Sequence, residues 1–361
     1  MLKPKILVTA ATGKTGFATA VQLLEKEFPV RAMVRIADKR SETLRRLGAE
    51  IVVGNLTDIT EVRQALSGVQ RAYYCTPFAR DALSTGAVFA SAAQESRLEM
   101  VTVMSQWLAD PSSPSVHTRE TWLAGNIFNW LPGIATVTVN PGWFADNYRA
   151  AGLEVIARAG IMMLPLGEGL NAPPSNEDIA RVIAGTLANP APHLGKTYRP
   201  TGPRLLAPQE IADSFGRVTG RKVRYVNGPV WLVPKMLRTA GIPDYQISQL
   251  LTYLEEYKRG SYATGAPTGD VLEVSGREPE DFDTIARRYM IGIGNRRLSD
   301  SARSLLMLAR VLATPGFSME RYEKQQDLNR IRNTRLAGES KEWLASHALS
   351  TKTGQPAGSG L

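Results

Sequence analysis

Short apolar segments alternate with amphipathic segments through the first 145 residues of this chain of 361. Six apolar segments are typical of strands, at 5–8, 30–34, 51–53, 72–76, 100–104 and 135–139. The segments between them carry apolar residues at helical spacing, as at Phe17, Val21 and Leu24. Strands that alternate with helices predict βαβ units, in which the loops after the strands share one edge of the sheet. We therefore predict an α/β fold with a doubly wound parallel sheet.

The alternation ends near residue 150, and the sequence becomes mainly helical in character. The segment 155–170 is predicted as a helix followed by a Gly/Pro-rich turn, and 223–226 as a short strand. We predict three parts. The first is a sheet domain at 1–152, to which a helix and a strand from 175–200 also belong. A smaller lobe at 153–290 and a helical extension at 291–361 with a frayed end follow. The extension is basic, with eleven Lys/Arg against six Asp/Glu in a chain of net charge +9.

Composition excludes several classes of protein. Cys75 is the single cysteine, which rules out a disulfide scaffold and a Cys-rich zinc site, and three scattered histidines argue against a metal centre. The longest uncharged stretch, 121–145, contains Pro, Asn and Gly and does not resemble a membrane span. No signal peptide or nucleic-acid-binding motif is evident. We expect a cytoplasmic protein that binds neither membrane nor nucleic acid, and no metal.

The loop between the first strand and the first helix, residues 8–16, is the strongest local motif. Gly13 and Gly16 fit a glycine-rich turn that lets backbone N–H groups approach a pyrophosphate, while Ala10 takes the place of the first glycine. A Walker A nucleotide-binding loop is the alternative, but its first glycine would fall on Val8, within the strand. The candidate cofactor-binding residues here are Thr9, Ala10, Thr12, Gly13, Lys14, Thr15 and Gly16.

Arg35 follows the second strand, nineteen residues after Gly16. An acidic side chain at this place usually binds the ribose 2′-OH of NAD, whereas an arginine suits the 2′-phosphate of NADP. Lys14 offers a second positive charge. We therefore predict NADP(H) in preference to NAD(H), with a plain surface arginine as the alternative for Arg35.

Together these motifs resemble the NmrA-like family of atypical short-chain dehydrogenase/reductases, over roughly residues 3–290. The resemblance is carried by the loop A-T-G-K-T-G, by Arg35, by 54–58 (GNLTD), by 140–147 (NPGWFADN), by 178–180 (DIA) and by 198–203 (YRPTGP). It implies a Rossmann-type NAD(P)-binding domain and a small substrate lobe. It also implies cofactor contacts at Asn55, Leu56, Cys75, Thr76 and Pro77. Some members of this family are quinone or enone reductases, and others are regulators that bind the dinucleotide without turnover.

The sequence lacks the Tyr-x-x-x-Lys pair of the wider superfamily, which argues against alcohol/ketone chemistry because an alkoxide needs a strong nearby acid. Ser105, after the fifth strand, and His117 are the catalytic candidates, with a surface or helix-cap role as the alternative for His117. Cys75 has no basic neighbour in sequence, so we interpret it as a packing residue. Reduction of a conjugated acceptor needs no strong acid, because the product anion is weakly basic.

Aromatic residues follow the fifth and sixth strands: Trp107, Trp143, Phe144 and Tyr148. They suit a flat acceptor, and packing between the two lobes is the alternative. The leading hypothesis is an NADP(H)-dependent oxidoreductase that transfers hydride to a quinone or enone. The alternative is a non-catalytic, redox-sensing regulator that acts through a protein partner. The extension, with its apolar run at 305–308, is expected to support either a homodimer or protein contact, or docking onto the chain's own lobe.

Overall fold

The alternating segments form a seven-stranded parallel sheet, as the computed structural model shows. The strands are β1 (Ile6–Val8), β2 (Val30–Val34), β3 (Glu50–Val53), β4 (Arg71–Cys75), β5 (Met100–Met104), β6 (Ala135–Val139) and β8 (Thr197–Tyr198). Their order is β3-β2-β1-β4-β5-β6-β8, and every neighbouring pair is parallel. The order reverses between β1 and β4, which is the place where Rossmann-type sheets bind a dinucleotide. The predicted fold class is confirmed.

The structure describes residues 3–293, 309–328 and 331–348. The predicted apolar run at 305–308 and the predicted frayed end at 351–361 lie outside these residues.

Helices cover both faces of the sheet. They are α1 (Lys14–Glu25), α2 (Lys39–Arg46), α3 (Ile59–Leu66), α4 (Ala82–Glu95), α5 (Val116–Asn129) and α7 (Asn176–Ala188). Neighbouring residues of β1 point to opposite faces, so Ile6 is buried with the apolar residues of α1 and α7, and Leu7 with those of α3, α4 and α5. The sheet is therefore buried on both sides, which is why its strands are continuously apolar.

A helical lobe follows, with its own buried core. Its elements are a 3₁₀ helix (Ala145–Ala151), α6 (Leu153–Ala159), α8 (Pro208–Thr219), α9 (Leu232–Thr239), α10 (Asp244–Lys258), α11 (Asp270–Ser275), α12 (Phe282–Met290) and two strands, β7 (Ile161–Leu164) and β9 (Arg224–Asn227). The core joins Tyr148, Phe215, Tyr257 and Phe282, among others.

The prediction of a helix followed by a turn over 155–170 is wrong in its second half. The helix ends at Ala159 because Gly160 takes a left-handed conformation (φ 64°). Residues 161–164 then form β7, which pairs in parallel with β9. The signal for this strand is a pairing more than sixty residues away, which no local pattern contains.

The described part of the extension includes the helices Met319–Gln325 and Lys341–Ala348. Both pack onto the chain itself: Trp343 is 2% exposed, and the Trp343 indole Nε1 donates to the Trp107 carbonyl oxygen at 2.9 Å. Across the described ranges, no helix combines the length and the apolarity that crossing a bilayer requires.

Candidate functional site

The loop that joins β1 to α1 is closely packed against its own backbone. A Cβ on Gly16 would lie 2.3 Å from the carbonyl oxygen of Ala10, and one on Gly13 would lie 3.0 Å from the same atom. Ala10 itself adopts a φ of 48°, the left-handed region that glycine occupies most readily. Ala10 therefore adopts the backbone conformation that the first glycine of the motif would have. The other two glycines let α1 begin directly against the turn.

The N-terminus of α1 is open to an anion. Its N-cap is Gly13, no side chain caps it, and its first turn holds no acidic residue. Ala10, Gly13 and Lys14 are exposed, so the N-terminus of α1 lies at the surface, where helix N–H groups lack intrahelical acceptors. Such an end carries partial positive charge, and a phosphate group fits it.

Three threonines of the predicted set hold the loop in place. The Thr9 hydroxyl oxygen accepts from the Cys75 N–H at 3.0 Å, and the Thr15 hydroxyl donates to Asn176 Oδ1 at 2.8 Å. The Thr12 carbonyl oxygen accepts from Arg40 Nη1 at 2.8 Å. Arg40 thus ties the loop to α2, a role that sequence reasoning missed.

Two cations stand at different places around the loop. Lys14 forms an ion pair with Asp146 in the 3₁₀ helix, so this lysine connects the loop to the residues after β6. Arg35 follows β2, is exposed, and has no hydrogen bond or ion pair to any residue in the described ranges. Next to it, Ile36 is 68% exposed. A free guanidinium beside an exposed apolar side chain can take a phosphate and the edge of a flat ring.

The end of β3 completes this side of the site. Asn55 is exposed, and its Oδ1 accepts from the Thr57 N–H at 3.1 Å, which leaves the side-chain amide nitrogen without a described partner. Leu56 is half-buried beside it. A Cβ on Gly54 would lie 2.9 Å from the end of the Met33 side chain, so that side chain would have to shift.

A cavity of about 310 Å³ lies beyond the ends of β4, β5 and β6. It is lined by Thr76, Phe78, Met104, Ser105, Gln106, Trp107, Leu108, His117, Thr121, Pro141, Gly142, Trp143, Phe144, Asn147, Leu250, Tyr253 and Tyr262. No lining residue is an aspartate, glutamate, lysine or arginine. The wall is mainly apolar and aromatic, with the few polar groups near the sheet edge.

The structure brings together most of the predicted residues around this cavity. Ser105, Trp107, His117, Trp143, Phe144 and Thr76 line it, while Cys75 and Pro77 flank Thr76 without lining it. Tyr148 lies elsewhere: it is fully buried in the helical lobe, and its hydroxyl is 2.9 Å from that of Tyr257. Sequence reasoning missed Phe78, Leu250, Tyr253 and Tyr262, because the last three come from a lobe with no local signal for the site.

The ionisable groups at the cavity are neutral near pH 7. His117 is 6% exposed, and burial lowers its pKa to about 4. Its Nε2 lies 3.4 Å from the Thr121 hydroxyl, and its Nδ1 is buried without a partner among the described residues. Burial also raises the pKa of Tyr253 and of Tyr262. The cavity therefore presents no charge, and it suits an uncharged, flat molecule.

Ser105 and Cys75 also lie at the sheet edge. The Ser105 hydroxyl makes no hydrogen bond to a described residue, so it is free for a ligand. Burial raises the pKa of the Cys75 thiol to about 11, so Cys75 is not a thiolate.

Comparison with known proteins finds sequence relatives and solved structures that resemble this chain. Residues 2–107 match the sequence model of the NmrA-like family. An NAD(P)H azoreductase of Xenophilus azovorans is 29% identical over 290 residues, which are 80% of this chain and 99% of the relative.

Two solved structures share the fold. An NADPH-dependent quinone oxidoreductase of Escherichia coli, complexed with NADPH, superposes with a TM-score of 0.68 at 20% identity, over 79% of this chain and 99% of the other. NmrA, a negative transcriptional regulator, in complex with NADP, superposes with a TM-score of 0.67 at 17% identity, over 85% of this chain and 100% of the other. The chain is thus similar to the NmrA-like family in sequence over residues 2–107, and similar to NAD(P)-binding reductases in its Rossmann-type fold.

Proposed function

We propose that this protein is an NAD(P)H-dependent oxidoreductase that reduces a flat, conjugated acceptor such as a quinone or enone. The observation that carries the proposal is the uncharged, aromatic-lined cavity at the ends of β4 to β6, next to a glycine turn that is open to a phosphate. The similarity to an azoreductase supports the same class of reaction, because an azo dye is also a flat conjugated acceptor.

The dinucleotide would be held by the residues around the turn. Its diphosphate suits the N–H groups in the first turn of α1, which follows Gly13. The backbone of Ala10 lies too close to this turn for side chains at 13 and 16. Arg35 suits the 2′-phosphate, which is why we propose NADP(H) in preference to NAD(H). Asn55 and Leu56 suit the adenine end, and Thr76 and Pro77 follow the strand that leads to the cavity.

Bound NADPH supplies a hydride, which turns a quinone into a weakly basic anion that needs one proton to complete the reduction. The rings of Trp107 and Phe144 would orient the flat acceptor. The free hydroxyl of Ser105 would donate a hydrogen bond to its oxygen. His117 is neutral, so we assign it orientation of the acceptor, and the proton comes from water.

A second candidate is a non-catalytic regulator that binds NADP(H). It is favoured by one observation: no residue lining the cavity, in the described ranges, is an acid able to supply a proton at neutral pH. In this case no acceptor would bind in the cavity, and a protein partner would bind to the helical lobe.

The test is NADPH oxidation, followed at 340 nm, with menadione and with methyl red as acceptors. We expect turnover with at least one acceptor that is absent in Gly13→Asp, because that substitution puts a carboxylate where the diphosphate would lie. NADPH binding with no turnover across a wider acceptor panel would favour the regulator. Failure to bind NADPH at all would refute both candidates.

A further inference from the structure

The extension contacts the loop that supplies one wall of the cavity. This loop runs from Ser105 to Ser115, between β5 and α5, and residues 105–108 line the cavity. Besides the Trp343 bond to Trp107, the Ser340 hydroxyl donates to Asp110 Oδ2 at 2.6 Å. The Arg335 N–H donates to the Ser112 carbonyl oxygen at 2.8 Å. Three separate hydrogen bonds thus fix this loop from outside.

The Trp107 ring connects the extension to the cavity. The Trp107 ring lies 4.9 Å from His347, and His347 stacks on Trp343 with ring centroids 3.9 Å apart. On the cavity side, a Cβ on Gly142 would lie 3.6 Å from the Trp107 ring. The Trp107 indole Nε1 also donates to the Ser261 carbonyl oxygen at 2.9 Å, so the ring is held by His347 of the extension on one side and by the helical lobe on the other.

A second contact fixes the loop after β4. Arg80 Nη2 donates to the Tyr322 hydroxyl at 3.0 Å and to Gln326 Oε1 at 2.7 Å. Phe78, two residues before Arg80, lines the cavity. The extension therefore contacts the chain on both sides of the opening.

The azoreductase relative aligns with only part of this chain. The azoreductase is matched over 99% of its own length by 80% of this chain, so about a fifth of this chain has no counterpart there.

We propose that the extension contributes to the acceptor site. Trp343 is a positioning residue: it fixes the position of Trp107 and thereby determines which acceptors fit. The proposal rests on the proposed function, because it needs the cavity to take an acceptor. Trp343 touches neither cofactor nor acceptor; it acts by giving the buried Trp107 carbonyl its donor and by holding His347 against the Trp107 ring.

Two variants of the full chain separate positioning from general stability. Trp343→Phe keeps a ring beside His347 and removes the N–H donor. Trp231→Phe is the matched control, since Trp231 is 60% exposed on the helical lobe. The first measurement is hydrogen exchange of the backbone amides in 105–112. We expect exchange about tenfold faster in Trp343→Phe, with no change in the control, because one buried hydrogen bond is lost. Unchanged exchange would overturn the positioning role.

The second measurement is the Kd of menadione for the NADP⁺-loaded protein, by isothermal titration, which needs no turnover. We expect Trp343→Phe to weaken menadione binding about fivefold, with NADP⁺ binding unchanged, as the loss of one well-placed hydrogen bond implies. Equal menadione Kd values in wild type and Trp343→Phe would overturn the inference alone. Wild-type protein that binds NADP⁺ but no menadione would overturn the proposed function, and the inference with it.

Discussion

Lys14, in the glycine turn, forms an ion pair with Asp146, 132 residues later in the 3₁₀ helix after β6. The pair spans the site from the phosphate loop to the residues that follow the cavity wall. Lys14 is 60% exposed and Asp146 only 13%, so the carboxylate is the fixed partner and the lysine the one that can move.

The ion pair leads to a prediction for Asp146→Asn. Removing the carboxylate takes a negative charge away from the turn and frees Lys14 for a phosphate. We expect NADPH to bind about threefold more tightly at low salt, with the gain lost in 0.5 M KCl, as is usual for partly exposed charges. Isothermal titration measures both, with the exposed Asp213→Asn as control. Weaker binding in Asp146→Asn would mean that the pair orders the turn for the cofactor instead.

Gly16 tests the close packing of the turn. In Gly16→Ala, the new Cβ would lie 2.3 Å from the Ala10 carbonyl oxygen, so the turn must shift. We expect NADPH affinity to fall at least about tenfold and unfolding free energy by about 1–3 kcal/mol, the usual cost of overpacking. Gly125→Ala in α5 is the matched control, because a Cβ there meets nothing within 4 Å. Urea unfolding and titration that show the two variants alike would contradict this account of the turn.

Arg35 tests the choice of cofactor. Its guanidinium makes no hydrogen bond or ion pair with a described residue, so Arg35→Ala removes none in that part of the chain. We expect NADPH affinity to fall about tenfold or more, the effect of losing a charge-assisted contact, and NADH affinity to stay unchanged. Arg40→Ala, which removes the bond to the Thr12 carbonyl, should instead weaken both cofactors alike. Equal losses of NADPH and NADH in Arg35→Ala would remove the case for a 2′-phosphate site.

His117 makes stability depend on pH in a defined direction. Its pKa is lowered to about 4 in the folded protein, while an unfolded histidine titrates near 6.5. Between these values the unfolded chain binds the extra proton, so stability is full above about pH 6.5 and falls as the pH drops towards 4. The loss attributable to this residue is about 3 kcal/mol at pH 4.

The measurement is urea unfolding of wild type and His117→Gln at pH 7, 5.5 and 4.5. The unfolding free energy of wild type minus that of His117→Gln should fall steadily as the pH drops. The reason is that only wild type has a histidine here that takes up a proton on unfolding. A difference that stays constant over the three pH values would show that His117 titrates normally and is not buried as described.

The sequence predicted the sheet well because each strand and its helix carry local signals. Apolar residues at helical spacing identify α1, and short apolar runs identify the strands around it. The Gly13–Gly16 turn could be predicted because it lies between a strand and a helix. Ser105, Trp107, Trp143 and Phe144 could be placed at the cavity because parallel strands end at one edge.

Contacts between distant segments could not be predicted in the same way. Asp146 shows no sign in the sequence of pairing with Lys14, and β7 exists only by pairing with β9. Tyr148 comes three residues after Ala145, and the turn of the 3₁₀ helix directs it into the lobe core instead of the cavity. The seating of Trp343 on Trp107 likewise depends on tertiary packing over 236 residues.

A crystal structure of the protein with NADPH bound tests the central claim most directly. The account predicts the diphosphate on the N–H groups in the first turn of α1, the 2′-phosphate against Arg35, and the nicotinamide facing the cavity beside Ser105 and Trp107. A nicotinamide directed away from that cavity, or a diphosphate bound elsewhere than the turn, would contradict it.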